Sequence, residues 1–246
     1  MKEILKIENV SKTFTSKGRN KLALDNISLS LKEGEILGLV GESGSGKSTL
    51  LRLISKQIPL DKGKISFLNK DIYQYGKEIY KDMQMVFQDP RGSFDPKFTI
   101  GHSFREIRQN LGIQSCLGVG ELLKNVGLKE EYHTRCPRDL SGGECQRAAV
   151  AKAFSVIPKL ILCDEITSAL DVSAQAKIID LLVHLVEEHG VSVVFVSHNL
   201  SLVSTFCHRV AILQNGNLVE EGPTKEVLRN PNHEYSKRLL AAQLVI

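Results

Sequence analysis

The chain lacks any long hydrophobic run: nothing in its 246 residues approaches the ~18 apolar positions that a membrane-spanning helix requires. Its opening residues are charged and amphipathic, which is not the pattern of a secretory signal. Cysteine is sparse and odd in number. Five residues, Cys116, Cys136, Cys145, Cys163 and Cys207, form no C-x-x-C pair, which argues against a disulfide framework and a zinc site and fits a reducing cytoplasm. No block of like charge is present either. The net charge of +4 is spread without a basic tail, so no nucleic-acid footprint is expected, although a mildly basic surface suits proximity to anionic lipid. There is no internal repeat and no low-complexity segment. Stability must then come from a core, and this length suits one large α/β domain, or a core with a small subdomain.

What the sequence does contain begins with Gly41-Glu42-Ser43-Gly44-Ser45-Gly46-Lys47-Ser48, which fits Gly-x-x-x-x-Gly-Lys-Ser/Thr. Residues 35–40 before it form an apolar run of strand length, and residues 49–54 after it, opening on Thr49, have helical spacing. Glycines without a Cβ allow positive φ and bring backbone N–H groups close to a polyphosphate. The following helix turns its unpaired N–H groups and positive dipole end toward the same anion. Lys47 is expected to reach the β- and γ-phosphates, and the Ser48 hydroxyl to ligate Mg²⁺.

The rest of the chain reads in order. Residues 4–10 alternate like an edge strand, and residues 22–31 read as a second strand pair. Phe14 is either a base-stacking aromatic or an ordinary half-buried one. Residues 64–67 and 83–87 are short strands, the second ending on Gln88 before a turn-rich loop. Residues 91–157 change character to helical patches without a clear strand, a helical insert with helices over 100–111 and 119–126. Ser141 with Glu144 three positions on is the spacing of a capping box, and Gly142 and Gly143 leave N–H groups exposed at a helix start. That is either a well-capped helix or a second anion site facing another subunit's nucleotide. Residues 160–163 form a buried strand that delivers Asp164 and Glu165, one carboxylate suited to Mg²⁺ and the next to orienting or deprotonating water. A helix over 173–189 carries a core stripe of Ile178, Ile179, Leu181, Leu182, Leu185 and Val186, stopped by Gly190. Residues 192–197 are a central strand delivering His198 to the sheet edge where ligands bind in open α/β folds. Residues 210–222 form a hairpin turning at Asn215-Gly216, followed by helices over 224–229, capped by Thr224, and 233–243.

In this order the motifs resemble an ATP-binding cassette ATPase, and the resemblance covers essentially the whole chain. Phe14 matches the adenine-stacking aromatic, 41–49 the phosphate loop, Gln88 the Q-loop, and Leu140-Ser141-Gly142-Gly143-Glu144 the signature. Asp164-Glu165 matches the acidic pair, Ser168-Ala169-Leu170-Asp171 the D-loop, and His198 the switch histidine. The implied fold is α/β: a P-loop NTPase core with a mainly parallel sheet, an N-terminal antiparallel β subdomain and a helical insert. Residues 1–246 are then one nucleotide-binding domain, with 1–90 and 158–246 as core plus β subdomain and 91–157 as the signature subdomain.

The resemblance further implies ATP and Mg²⁺ as cofactors. Asp171, Ser141, Gly142, Gly143 and Glu144 join the nucleotide site, and Ser48, Gln88 and Asp164 hold the metal. Catalysis falls to Glu165, His198 and Gln88. Two cassettes close head to tail, so a second ABC ATPase subunit is expected, a heterodimer more than a homodimer. The runs 87–96, 167–175 and 230–235 resemble the dipeptide, oligopeptide and nickel importers. These imply two transmembrane permease subunits and an extracytoplasmic solute-binding protein, with the chain peripheral on the cytoplasmic membrane face and no nucleic acid involved. Ile166 departs from the family's usual Pro and Glu234 from the Pro of the tail motif. The short tail favours nickel or another metal chelate as cargo. The alternative is a cassette of a soluble complex that resembles the carbon–phosphorus lyase ATPases. The stretch between Lys47 and Asp164 is too short for the coiled coil of chromosome ATPases, and a single phosphate loop excludes a two-cassette translation factor.

Overall fold

The computed structural model describes residues 2–16, 19–113, 118–168 and 170–243; Cys116 and Ala169 lie outside them. The chain divides into two compact units, Met1–Gly76 with Ser192–Ile246, and Lys77–Val191. The first unit opens with β1 (Glu3–Ser16) and β2 (Arg19–Lys32), a long antiparallel hairpin. Residues 22–31 are therefore part of one strand, not a pair. Register shifts along the hairpin coincide with Asn9 and Asn26, both at φ 50, where a left-handed residue bulges the strand. β3 (Ile36–Val40) is buried at every position, which an all-apolar strand covered on both faces requires. α1 (Lys47–Ile54) follows, burying Leu50, Leu51, Leu53 and Ile54, each worth about 1.5–3 kcal/mol relative to exposure. β4 (Lys62–Phe67) and β5 (Lys70–Asp71) complete a sheet in the order β2-β1-β4-β5.

The second unit begins with α2 (Ile79–Asp82) and β6 (Met83–Val86). Its helical stretch holds α3 (Ile100–Asn110), α4 (Val119–Asn125) and α5 (Gly142–Phe154). No strand interrupts residues 91–157 among those described. β7 (Leu160–Asp164) pairs in parallel with β6, and α6 (Val172–His189) ends on Gly190 at φ 65, a left-handed C-cap. The core face of α6 is Ala174, Ile178, Ile179, Leu182, Leu185 and Val186. Leu181 is only half-buried, because it lies at the margin of that stripe.

The chain then returns to the first unit. β8 (Ser192–Val196) and β9 (Arg209–Gln214) flank β3 in parallel, and β10 (Asn217–Pro223) adds antiparallel to β9 through Asn215-Gly216. Both turn residues have positive φ, 47 and 82, the type I′ geometry that Asn-Gly favours. α7 (Leu200–Phe206), α8 (Thr224–Arg229) and α9 (Glu234–Gln243) finish the unit. The N-cap of α8 is Pro223 rather than Thr224, whose side chain makes no cap bond. Thr224 is buried inside the first turn, and its hydroxyl is buried there without a hydrogen-bond partner among the described residues.

Candidate functional site

In the first unit the register of β3 places two sequence candidates at one strand edge. Leu39 pairs with Val196, so Gly41 and His198 each come two residues past a shared rung. His198 is exposed there, while Ser197 before it is buried and donates its N–H to Leu39 O at 3.3 Å. The loop between β3 and α1 runs at positive φ at Gly41, Gly44 and Gly46. A Cβ on Gly41 would stand 2.2 Å from Leu213 O, and one on Gly46 2.8 Å from Ala23 O; at Gly44 nothing lies within 4 Å. The loop is thus pressed against its own unit at two glycines and open at the third. Lys47 Nζ donates to Gly41 O at 2.8 Å and Glu42 O at 2.9 Å, and the side chain is 5% exposed. An ammonium held above a glycine loop at a helix start is a cradle for an anion. Gly216 N donates to Ser45 O at 3.0 Å, tying the β9–β10 turn to the loop. Glu42, Ser43, Ser48 and Thr49 complete the predicted stretch, and Ser48 and Thr49 lie in the first turn of α1. Phe14 is 41% exposed near the end of β1, with Lys12 Nζ 5.6 Å from its ring centre.

The second unit repeats the device with acids. Val86 pairs with Cys163, so Gln88 and Glu165 again come two residues past a shared rung, and Gln88 Nε2 donates to Glu165 Oε2 at 3.0 Å. Asp164 ends β7 and is 6% exposed. Burial also pushes the neighbouring Cys163 thiol far up, so it stays protonated and inert. Glu165 has φ 48, an uncommon conformation for a residue with a side chain and one often found at working sites. Its turn is fixed without the proline of the family pattern: Ser168 donates to Glu165 O from N at 3.2 Å and from Oγ at 2.9 Å. Ile166 is meanwhile buried. Asp171 caps α6, accepting from Ala174 N at 2.9 Å and Ser173 Oγ at 2.7 Å, and these bonds hold its carboxyl below the ordinary range.

The start of α5 is a complete capping box. Ser141 Oγ accepts from Glu144 N at 3.3 Å, and Glu144 Oε2 accepts from Ser141 N at 2.8 Å. Tyr132 adds a third bond, donating its hydroxyl to Glu144 Oε1 at 2.9 Å, and Arg135 stacks over the Tyr132 ring at 3.9 Å. Gly142 is open, with nothing near the position of a Cβ. Two contacts escape a reading of the sequence, the Tyr132 buttress and a bond from Glu42 N to the Tyr235 hydroxyl at 3.0 Å. Tyr235 does lie in the 230–235 run, so a motif was visible without its purpose.

These donors suit the expected ligands. A hydroxyl, a carboxylate and an amide oxygen are hard donors of the kind Mg²⁺ accepts, with phosphates supplying the remainder. Among the described residues no group of three or more His, Cys, Asp or Glu could hold a metal alone, and none is needed for an ion carried by a polyphosphate.

The ABC transporter family profile matches residues 24–168. The oligopeptide transport ATP-binding protein OppD of Mycobacterium tuberculosis is 44% identical over 227 residues, 89% of this chain but 37% of that protein. OppF of Streptococcus mutans is 39% identical over 252 residues, covering 98% of this chain and 82% of that protein. The chain thus spans little more than a third of several curated relatives it matches, including the glutathione import protein GsiA of Salmonella typhimurium, at 38% of its length. Among solved structures, a bacterial ABC transporter cassette in dimeric form superposes with a TM-score of 0.83 at 31% identity, over 90% of this chain and 99% of that one.

Proposed function

Because the chain belongs to the ABC transporter family of ATP-binding cassettes, which bind and hydrolyse ATP, we propose that it energises an importer. Its cargo would be short peptides or a metal chelate such as nickel, carried by separate permease subunits. Among the described residues no helix is long and apolar enough to cross a membrane, so in this reading the pore belongs to two other chains, fed by a solute-binding protein. The cassette sits on the cytoplasmic membrane face and pairs with a second, different ATPase subunit.

The observation that carries the reading is the loop after β3: three glycines at positive φ, one open, and a buried lysine gathered onto its carbonyls. Lys47 and the loop N–H groups bind the phosphates of ATP, and Phe14 stacks on the base. Ser48, Asp164 and Gln88 hold Mg²⁺, which when bound neutralises phosphate charge. Glu165 polarises the attacking water, and His198 and Gln88 respond to the terminal phosphate. Ser141 to Glu144 meet the nucleotide of the neighbouring cassette, with Asp171 beside them. Phosphoryl transfer is mainly positioning and charge stabilisation, so pairing completes the site and opening releases product. The bond from Gln88 to Glu165 supports the coupling, since Gln88 must loosen its hold on the carboxylate when Glu165 turns to water.

Glu165→Gln tests the chemistry. It should retain ATP binding and lower turnover by at least about a hundredfold, the scale of a lost general base; unchanged hydrolysis removes Glu165 from this role. Copurification of polytopic membrane proteins tests the transport half. A soluble multi-subunit complex instead would favour the pore-free alternative.

A further inference from the structure

The C-terminal helix reaches the phosphate loop through one side chain. Tyr235, in the first turn of α9, is 3% exposed, and its hydroxyl oxygen accepts the Glu42 N–H at 3.0 Å. That N–H belongs to the peptide unit joining Gly41 to Glu42. The carbonyl of the same unit, Gly41 O, accepts from Lys47 Nζ at 2.8 Å. One peptide plane is therefore gripped at both ends, by the tail on one side and by the phosphate-binding lysine on the other. The next carbonyl, Glu42 O, accepts from Lys47 Nζ at 2.9 Å and from Ser45 N at 3.2 Å. A twist of the first plane shifts both rests of the ammonium together.

Tyr235 is itself anchored. Its N–H donates to His233 Nδ1 at 3.1 Å, and the N–H groups of Asn232 and His233 donate to the two carboxylate oxygens of Glu220 at 2.8 and 3.2 Å. Glu220 lies on β10 opposite Ile212 of β9. The residue after Ile212 is Leu213, whose carbonyl abuts Gly41. The tail and the loop are thus referenced to one hairpin.

We propose that Tyr235 is a positioning residue for nucleotide binding: its hydroxyl sets the Gly41–Glu42 peptide and through it the ammonium of Lys47, while Glu220 sets Tyr235. This rests on the phosphate-loop reading above. The hydroxyl acts through the loop on the lysine and takes no part in chemistry, so its effect falls on affinity and spares the catalytic step.

Tyr235→Phe keeps the buried ring and removes only the acceptor. In the full chain, equilibrium binding of a fluorescent ATP analogue with Mg²⁺, steady-state hydrolysis, and thermal unfolding without nucleotide are compared with wild type. The expected result is a Kd and KM raised about 3- to 10-fold, the scale of one lost hydrogen bond, with kcat changed by less than about two-fold. Glu220→Ala should weaken binding in the same direction, and the double variant should be little weaker than the worse single, because both act along one chain of contacts. Three outcomes overturn the inference. One is an unchanged Kd in Tyr235→Phe, another is strict additivity with Glu220→Ala, and the third is a loss of affinity that merely follows a fall in the melting temperature of the nucleotide-free protein. Wild-type protein that binds no Mg·ATP overturns the functional reading as well, so the two failures are told apart by the wild-type control.

Discussion

Gly44 and Gly46 stand two positions apart in one loop, and substituting them should have different consequences. Alanine at Gly44 would adopt φ 80 in open space, so its cost is the left-handed backbone alone, about 1–2 kcal/mol. Alanine at Gly46 adds contacts at 2.7 Å with Leu24 Cδ2 and 2.8 Å with Ala23 O, and a carbonyl within a strand cannot step aside. Gly44→Ala should lower the melting temperature by ~2–8 °C, taking about 2–4 °C per kcal/mol for a chain of this size, and Gly46→Ala by clearly more. Equal melting temperatures in a thermal scan would sink the steric argument. The glycine spacing was legible in the sequence because it is a local backbone requirement. What each glycine faces was not, since Leu213 and Ala23 reach the loop only through the fold. The same holds for Gln88 and Glu165: each was a candidate alone, but their 3.0 Å bond needs the parallel register of β6 on β7.

At the scale of elements, the start of α5 was readable because a capping box lies within four consecutive residues. Ser141→Ala should cost about 1 kcal/mol in urea denaturation. Glu144 gives that cap a pH dependence. Its bond from the Ser141 N–H, with further help from Tyr132, holds the carboxyl below its ordinary value of 4.5 against the opposing effect of burial. A carboxylate with a depressed folded pKa adds stability in full above its unfolded value and loses it as pH falls through the folded one. The stability gap between wild type and Glu144→Gln should therefore be constant near neutrality and shrink below pH 4.5; a gap that persists into acid would remove the charge from the explanation. Strand boundaries were less legible where alternation breaks. β1 runs on to Ser16 past the bulge at Asn9, and a reading that depends on period two stops at Val10. Thr224 was misplaced because a threonine before an apolar turn signals a cap equally well at either of two positions, and Pro223 takes the outer one.

For the whole molecule, the decisive quantity is how many cassettes complete one site. The chain carries one phosphate loop, which opens α1 after Gly46, and a second glycine-bearing helix start of the signature resemblance, α5 after Ser141. In the proposed reading a single bound polyphosphate engages the first, which leaves the second to serve another chain. Pairing should then require nucleotide and survive only while hydrolysis is blocked. Glu165→Gln in Mg·ATP, followed by sedimentation, should remain one copy alone and form a two-cassette particle when a distinct partner ATPase is added. A symmetric pair of this chain alone would instead identify a homodimer. Ser141→Arg separates pairing from binding. A bulky cation at the mouth of α5 should block association and turnover while leaving the Kd for Mg·ATP within about two-fold of wild type, because the proposed function assigns the chain's own phosphates to Lys47 and not to Ser141. If Ser141→Arg weakens that Kd as much as it lowers turnover, or if a strictly single-copy protein hydrolyses ATP undiminished, the α5 start belongs to the chain's own nucleotide and the division of the site between two cassettes fails.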